Sequence, residues 1–381
     1  MSRPEPPAAG AVPSRLLPID RVGSRELEER IRAAQQRGVD VLMLEGSPKL
    51  IMPEHVQEAA AACHRPLPQP SEGAEVLREA IHEAWAGEFG APPISLLVTN
   101  GAMHALNLLF RAVLRPGDNV VIPAPNFFFS GAIALAGGEA RFVQSEMDSG
   151  WAWDVDALEQ ACDDATRAIV FSNPVNPTGY LPAEETLEAL LQLARSKQIL
   201  VVSDESYSRY VYDGRFVSLA AVPEFTDVGV VIRSFSKDYA LAPWRVGYMA
   251  APGWLMPALV TILEWELLYV SDIAQRVAAA AVRGPQTWLA DVPHEYRERR
   301  DRVLAAVRAN PRLACTQPPA APFLFVDTRG LGDADPVETL LAVGIPTVSG
   351  RYFGTHDRYV RIPFGGSAET LSALCSRLST V

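Results

Sequence analysis

From about residue 75 the chain alternates short apolar runs with segments of helical period, and this alternation narrows its fold more than any other feature. "EVLREAIHEAWAGEF" is amphipathic at helical spacing, and "PAEETLEALLQLARSK" reads as a helix with Pro182 placed for its first turn. "ISLLVTNG" is strand-like and runs straight into the helix "AMHALNLLFRAVL". "NVVIP", "ARFVQ", "RAIVFSN", "ILVVSDE" and "VGVVIRSF" are short apolar runs suited to strands buried on both faces. Strand and helix in alternation predict a largely parallel α/β sheet with crossover helices.

After about residue 285 the texture changes. A charged helix, "YRERRDRVLAAVRA", leads into "PFLFVDT", a helix "PVETLLAVG", "YVRIPF" and a final helix "AETLSALCSRL". Helices with a small sheet indicate a second, smaller α+β domain. "VLMLEGSP" ends in a Gly/Pro turn before the large-domain pattern starts, so residues 20–48 are assigned with 285–381, and 49–284 form the large domain. Two domains suit a chain of 381 residues. Residues 1–19 are Pro/Ala-rich, lack an apolar signal core and are read as a flexible arm.

Bulk charge excludes some partners. A net charge of −11 with no basic block argues against nucleic acid. No apolar run reaches the roughly 18 residues of a membrane span. Four scattered cysteines without a Cys-x-x-Cys pair read as thiols of a reducing compartment, which makes the expected location cytoplasmic. The histidines, His104 among them, show no metal spacing, and no metal is expected.

Ligand-binding residues of open α/β sheets gather past the carboxyl ends of strands. Here those ends carry Thr99-Asn100-Gly101, "FSNPVNPTGY" with Asn173 and Asn176, "VVSDESY" with Asp204, Glu205 and Tyr207, and "SFSKDYALAPWRVGY". Each has two readings taken singly. The first is a phosphate turn at a helix start or an ordinary tight turn. Asn176 offers a fixed amide or only shapes a loop. Asp204 is a functional carboxylate or a helix cap. Lys237 is one of three lysines in a chain with 34 basic residues. It is a tunable amine or a solvated surface charge, and an arginine serves only the second purpose.

Taken together, the phosphate turn, "NPVNPTG", the strand-end Asp and Ser-x-Ser-Lys with an arginine eight residues later resemble fold-type I pyridoxal-phosphate enzymes. The chain is most similar to the class I/II aminotransferase family, over roughly residues 40–381. The resemblance implies pyridoxal 5′-phosphate as cofactor and Lys237 as its Schiff-base lysine and proton-moving base. It implies Asp204 at the pyridine nitrogen, and Tyr207 and Asn176 at the phenolic oxygen. The phosphate falls to Gly101, Ala102, Met103, Ser234, Ser236 and Arg245. Phe127 is the implied stacking aromatic. Arg361 is the α-carboxylate clamp, with Asn176 and Gly46 lining the same pocket.

Two departures lie close to the cofactor. Pro68 stands near the family's usual tyrosine, and Pro243 replaces its usual glycine before Trp-Arg. The implied function is transfer of the amino group of an α-amino acid to a 2-oxo acid. The alternative is a lyase or cyclase acting by β- or γ-elimination, similar to aminocyclopropane-carboxylate synthase. A cofactor-sensing regulator is a third reading, for which the short N-terminal arm leaves no DNA-binding domain. Glu264 and Glu266 either meet a basic substrate side chain or are solvated helix residues. A homodimer is implied by the family alone.

Overall fold

A computed structural model of the chain describes residues 23–46, 50–90 and 95–381. The expected arm over 1–19 lies outside the described residues, as does Lys49. Seven strands make one sheet: β1 (Leu96–Thr99), β2 (Asn119–Ala124), β3 (Glu139–Gln144), β4 (Thr166–Ser172), β5 (Leu200–Asp204), β6 (Gly229–Ser234) and β7 (Gly247–Ala250). Their order is β1-β7-β6-β5-β4-β2-β3. The pairs from β3 through β6 are parallel, while β7 runs antiparallel to both β6 and β1.

Successive residues of the central strands feed two different cores. Val201 and Val231 face the layer that holds Leu187, Leu190 and Leu191 of the helix Glu184–Lys197. Val202 and Val230 face Leu106, Leu109 and Phe110 of the helix Ala102–Val113. Burial on both sides is why these strands read as unbroken apolar runs. β3 departs from that expectation. It is one of the two edge strands, its residues are half-buried or exposed, and its Glu139 and Gln144 face water. Pro182 also falls outside its expected turn, because Ala183 is the N-cap and Glu184 and Glu185 fill the first turn. Two carboxylates there suit the positive end of the helix dipole.

A second sheet has β8 (Phe323–Asp327), β9 (Val348–Ser349) and β10 (Tyr359–Pro363) in the antiparallel order β8-β10-β9. Leu324, Val326, Val360 and Ile362 pack with Val303, Leu304 and Val307 of the helix Val292–Ala309. Leu42 belongs to the same core, and Glu45 exchanges two backbone hydrogen bonds with Gly365, at 3.3 and 3.0 Å. Tyr207, Tyr210 and Tyr212, which follow β5, also join this core. The segment after β5 therefore leads from the large sheet to the small one, where a site between the two can form.

Candidate active site

The carboxyl ends of β1, β4, β5 and β6 open onto a cavity of about 190 Å³. Ala102, Met103, Phe127 and Asn176 line it, together with Asp204 and Tyr207. Ser234, Ser236, Lys237 and Arg245 also form its wall. Gly101 caps the helix Ala102–Val113 at φ +83°, and a Cβ there would lie 2.7 Å from an Arg245 guanidinium nitrogen. Only glycine lets the two approach so closely. The first amides of that helix have no intrahelical partner, which leaves them for an anion beside the Arg245 guanidinium.

Lys237 stands in the one-turn helix Phe235–Asp238 at the end of β6 and donates no hydrogen bond to a described residue. Burial, then the charges of Arg361 and Arg245, push its amine down to about 8, and Glu45 pulls the other way. Its Nζ lies 6.0 Å from the centroid of the Tyr207 ring.

Asp204 serves its local turn and still keeps one oxygen back. Oδ1 accepts from the Ser206 amide at 3.0 Å and the Ser206 hydroxyl at 2.5 Å. Oδ2 has no hydrogen-bond partner among the described residues. Burial raises the carboxyl to about 6 against the opposing pull of Ser206. Tyr207 is buried too, which raises its hydroxyl above the ordinary phenol range.

Ser234 accepts from the Ser236 amide at 3.1 Å, and Ser236 accepts from Arg245 Nη1 at 3.3 Å. Pro243 sits in the first turn of the short 3-10 helix Ala242–Trp244, a place its fixed φ suits, and Arg245 follows at φ +52°. Leu67 and Gln69 on either side of Pro68 are held by Asp272, at 3.0 and 2.8 Å.

Arg361 lies outside this cavity but next to it. Nη1 donates to Asn176 Oδ1 at 3.0 Å, and Nε is buried with no partner. The guanidinium carbon is 4.4 Å from the centroid of Phe323, the ring against which Gly46 packs. No carboxylate pairs with Arg361 among the described residues, and burial lowers it to about 10. A half-buried guanidinium with a covered, unpaired Nε is costly unless an anion arrives.

Some residues that shape the site carried no sequence signal of their own. Asn126, fully buried, accepts from Phe127 N, Ser172 N and Ser172 Oγ at 2.8–3.0 Å, which ties the aromatic turn to the end of β4. Ser172 in turn accepts from Asn176 N at 2.9 Å. The only hint was an asparagine placed before three phenylalanines in "PAPNFFF". Glu205, adjacent to Asp204, turns away to Arg233 at 2.9 Å. Glu266 pairs with Arg111 at 2.6 Å and His104 at 3.0 Å, and Glu264 accepts from Ser71 at 2.8 Å. Both glutamates are thus engaged with protein groups rather than left facing the cavity.

The profile described as Aminotransferase class I and II matches residues 42–378. The chain is 31% identical to the aspartate/prephenate aminotransferase of Thermus thermophilus, over 94% of each chain. It is 29% identical to the aspartate aminotransferase of Geobacillus stearothermophilus, over 92% of this chain and 94% of that one. Among solved structures, an aspartate aminotransferase variant of Thermus thermophilus superposes with a TM-score of 0.89 at 28% identity, covering 97% of this chain and 98% of that one. The enzyme of that name from Thermotoga maritima gives 0.88 at 29%, covering 97% and 99%.

Proposed function

We propose roles for the pocket residues on the premise that this chain belongs to the class I and II aminotransferase family, and is a fold-type I, pyridoxal-phosphate-dependent transaminase. The residues suit such a cofactor. An amine of lowered pKa, a carboxylate with one unpartnered oxygen, an anion cradle at Gly101 and Arg245 and an aromatic ring surround one cavity. When bound, pyridoxal phosphate supplies an aldehyde for amines and a ring that draws electrons from the α-carbon.

Lys237 holds the cofactor through its amine and, once released, takes the substrate α-proton on Nζ and returns it. An amine near pH 8 is partly unprotonated at neutral pH, which this task requires. Asp204 Oδ2, left without a partner by its local turn, would accept from the cofactor's ring N–H and hold that proton in place. Tyr207 and Asn176 would hydrogen-bond the cofactor's phenolic oxygen, and Phe127 would offer its ring an aromatic face. Arg245, Ser234, Ser236 and the amides of Gly101, Ala102 and Met103 take the phosphate. Arg361 pairs with the substrate α-carboxylate, steadied by Asn176, with Gly46 along the same wall.

One observation carries the assignment: Arg361 is a half-buried guanidinium with a buried, orphaned Nε and no ion-pair partner among the described residues, near the Lys237 amine that burial and two arginines lower to about 8. A carboxylate completes it. We also assign residues 20–48 with 285–381 to a small domain and 49–284 to a large one, supported by Leu42 in the second core. A cytoplasmic homodimer is the assembly we infer. No helix among the described residues is long and apolar enough to cross a membrane. Trp265 and Leu268, at the end of the helix Met256–Glu266, are 89% and 63% exposed, as an uncovered contact surface would be.

The test is stoichiometry. An amino acid alone should release one 2-oxo acid per site and then stop, with the amino group left on the enzyme. A second 2-oxo acid should restart turnover, the signature of a ping-pong reaction. Continued turnover of one amino acid without any acceptor would instead show elimination.

A further inference from the structure

Asn126 is fully buried and lies outside the cavity wall, one residue before the aromatic that lines it. Its side-chain oxygen meets three donors: Phe127 N at 3.0 Å, Ser172 N at 2.9 Å and Ser172 Oγ at 2.8 Å. Nδ2 donates to Pro123 O at 3.0 Å. Two of the three donors are backbone N–H groups, which can only donate, so the atom that meets them is the amide oxygen. The Ser172 hydroxyl must then give its hydrogen to Asn126, and its oxygen accepts from Asn176 N at 2.9 Å. The bonds from Asn176 through Ser172 to Asn126 thus run in a single possible direction. An ionised aspartate could not replace Asn126, because it would set a second acceptor against Pro123 O.

Both ends of this path belong to the cavity. Phe127 presents its ring there. Asn176 has Oδ1 engaged by Arg361 Nη1 at 3.0 Å, which leaves Nδ2 as the donor it can offer. The main chain of Asn126 is held separately, since its N–H donates to Phe353 O at 2.9 Å. Removing the side chain therefore frees the two cavity groups while the turn keeps that anchor.

We propose that Asn126 is a positioning residue that fixes the Phe127 ring and the Asn176 amide relative to each other, so that both meet the cofactor as one unit. This rests on the roles proposed above for Phe127 and Asn176.

A pH titration of the holoenzyme's visible absorption band follows the proton at the Lys237 linkage to the cofactor. A hydrogen bond from Asn176 to the phenolic oxygen draws negative charge away from that proton, so losing the bond lets the proton stay to higher pH. Asn126→Ala should raise the midpoint by about one pH unit. It should also weaken cofactor binding by about 5-fold, the scale of one aromatic contact, as read by equilibrium dialysis. Ser172→Ala cuts only the branch to Asn176, so it should raise the midpoint and leave cofactor binding closer to wild type. The double variant should shift the midpoint no further than Asn126→Ala, because both residues lie on one path. Arg361, Arg245, Glu45, Asp204 and Tyr207, the charged and titratable groups around Lys237, are present in all three variants. Additive shifts, or a lowered melting temperature with an unmoved midpoint, overturn the positioning role. Should Asn126→Ala fail to fold, the Ser172→Ala midpoint decides instead. Asn176→Ala separates this inference from the reading beneath it. If that variant moves the midpoint and Ser172→Ala does not, the positioning role fails alone. If Asn176→Ala leaves the midpoint unmoved, its role at the phenolic oxygen fails and the positioning role falls with it.

Discussion

Lys237 is held in a state that costs the cofactor-free protein stability. Burial and two neighbouring arginines lower its amine from 10.5 to about 8. Below about 8 both folded and unfolded chains carry the proton, and the fold bears the full cost of the buried charge. Between about 8 and 10.5 the unfolded chain binds more protons, so stability rises with pH. Lys237→Met should therefore be more stable than wild type at pH 7, by about 2 kcal/mol after discounting for partial solvent access. The gap should close as pH rises through that window, in urea unfolding of the two cofactor-free proteins. Arg361 has the matching prediction for binding. Arg361→Ala should weaken amino-acid binding by roughly 2–5 kcal/mol, the usual cost of breaking a desolvated charge pair. Amines without a carboxylate should hardly notice the change, and equal losses for both would contradict the clamp.

At the scale of elements, the lysine turn is strapped to the turn after β5. Asp238 follows Lys237, and its Oδ2 accepts from the Ser208 hydroxyl at 2.6 Å, while Oδ1 accepts from Arg209 N at 3.3 Å. Arg209 reaches back to the Tyr239 hydroxyl at 3.0 Å and lies over that ring. The strap joins the residues next to Lys237 to those next to Tyr207, and so sets the distance between the two. Asp238→Ala leaves two half-buried donors without their acceptor and should cost about 1 kcal/mol in thermal or denaturant unfolding at pH 7. Asp238→Asn keeps an acceptor and should lose much less. Burial raises the Asp238 carboxyl to about 6, so the neutral amide escapes a charge penalty that wild type carries at pH 7. An asparagine variant as unstable as the alanine one would show that charge, not hydrogen bonding, holds the strap.

At the scale of the whole molecule, the homodimer proposed above has exposed apolar side chains available to cover. Ile51 and Trp265 are each 89% exposed and Leu268 is 63% exposed, far more than their chemistry favours in water. Wild type should sediment as a dimer at micromolar concentration. The paired change Trp265→Asp and Leu268→Asp should shift it toward monomer while far-ultraviolet circular dichroism stays unchanged. A wild-type monomer would remove the homodimer from the account.

The order of strands and helices, and the polar set at their carboxyl ends, were legible in the sequence because both are local signals. A run such as "ILVVSDE" states its own burial, and a scarce lysine in a serine turn marks a candidate amine without deciding its role. Asp204, Asn176, Ser234 and Lys237 come together because parallel strands bring all their carboxyl ends to one edge. Other features depended on which distant surfaces meet. Asn176 and Arg361 touch across 185 positions of sequence. β7, inserted antiparallel between β6 and β1, and the two-residue β9 are too short to show a period. The aromatic surround of Arg361, the Asn126 stitch and the Asp238 strap likewise exist only where separate elements pack. Pattern along the chain reports how each segment meets water or core, and it holds no information on which partner lies across the interface.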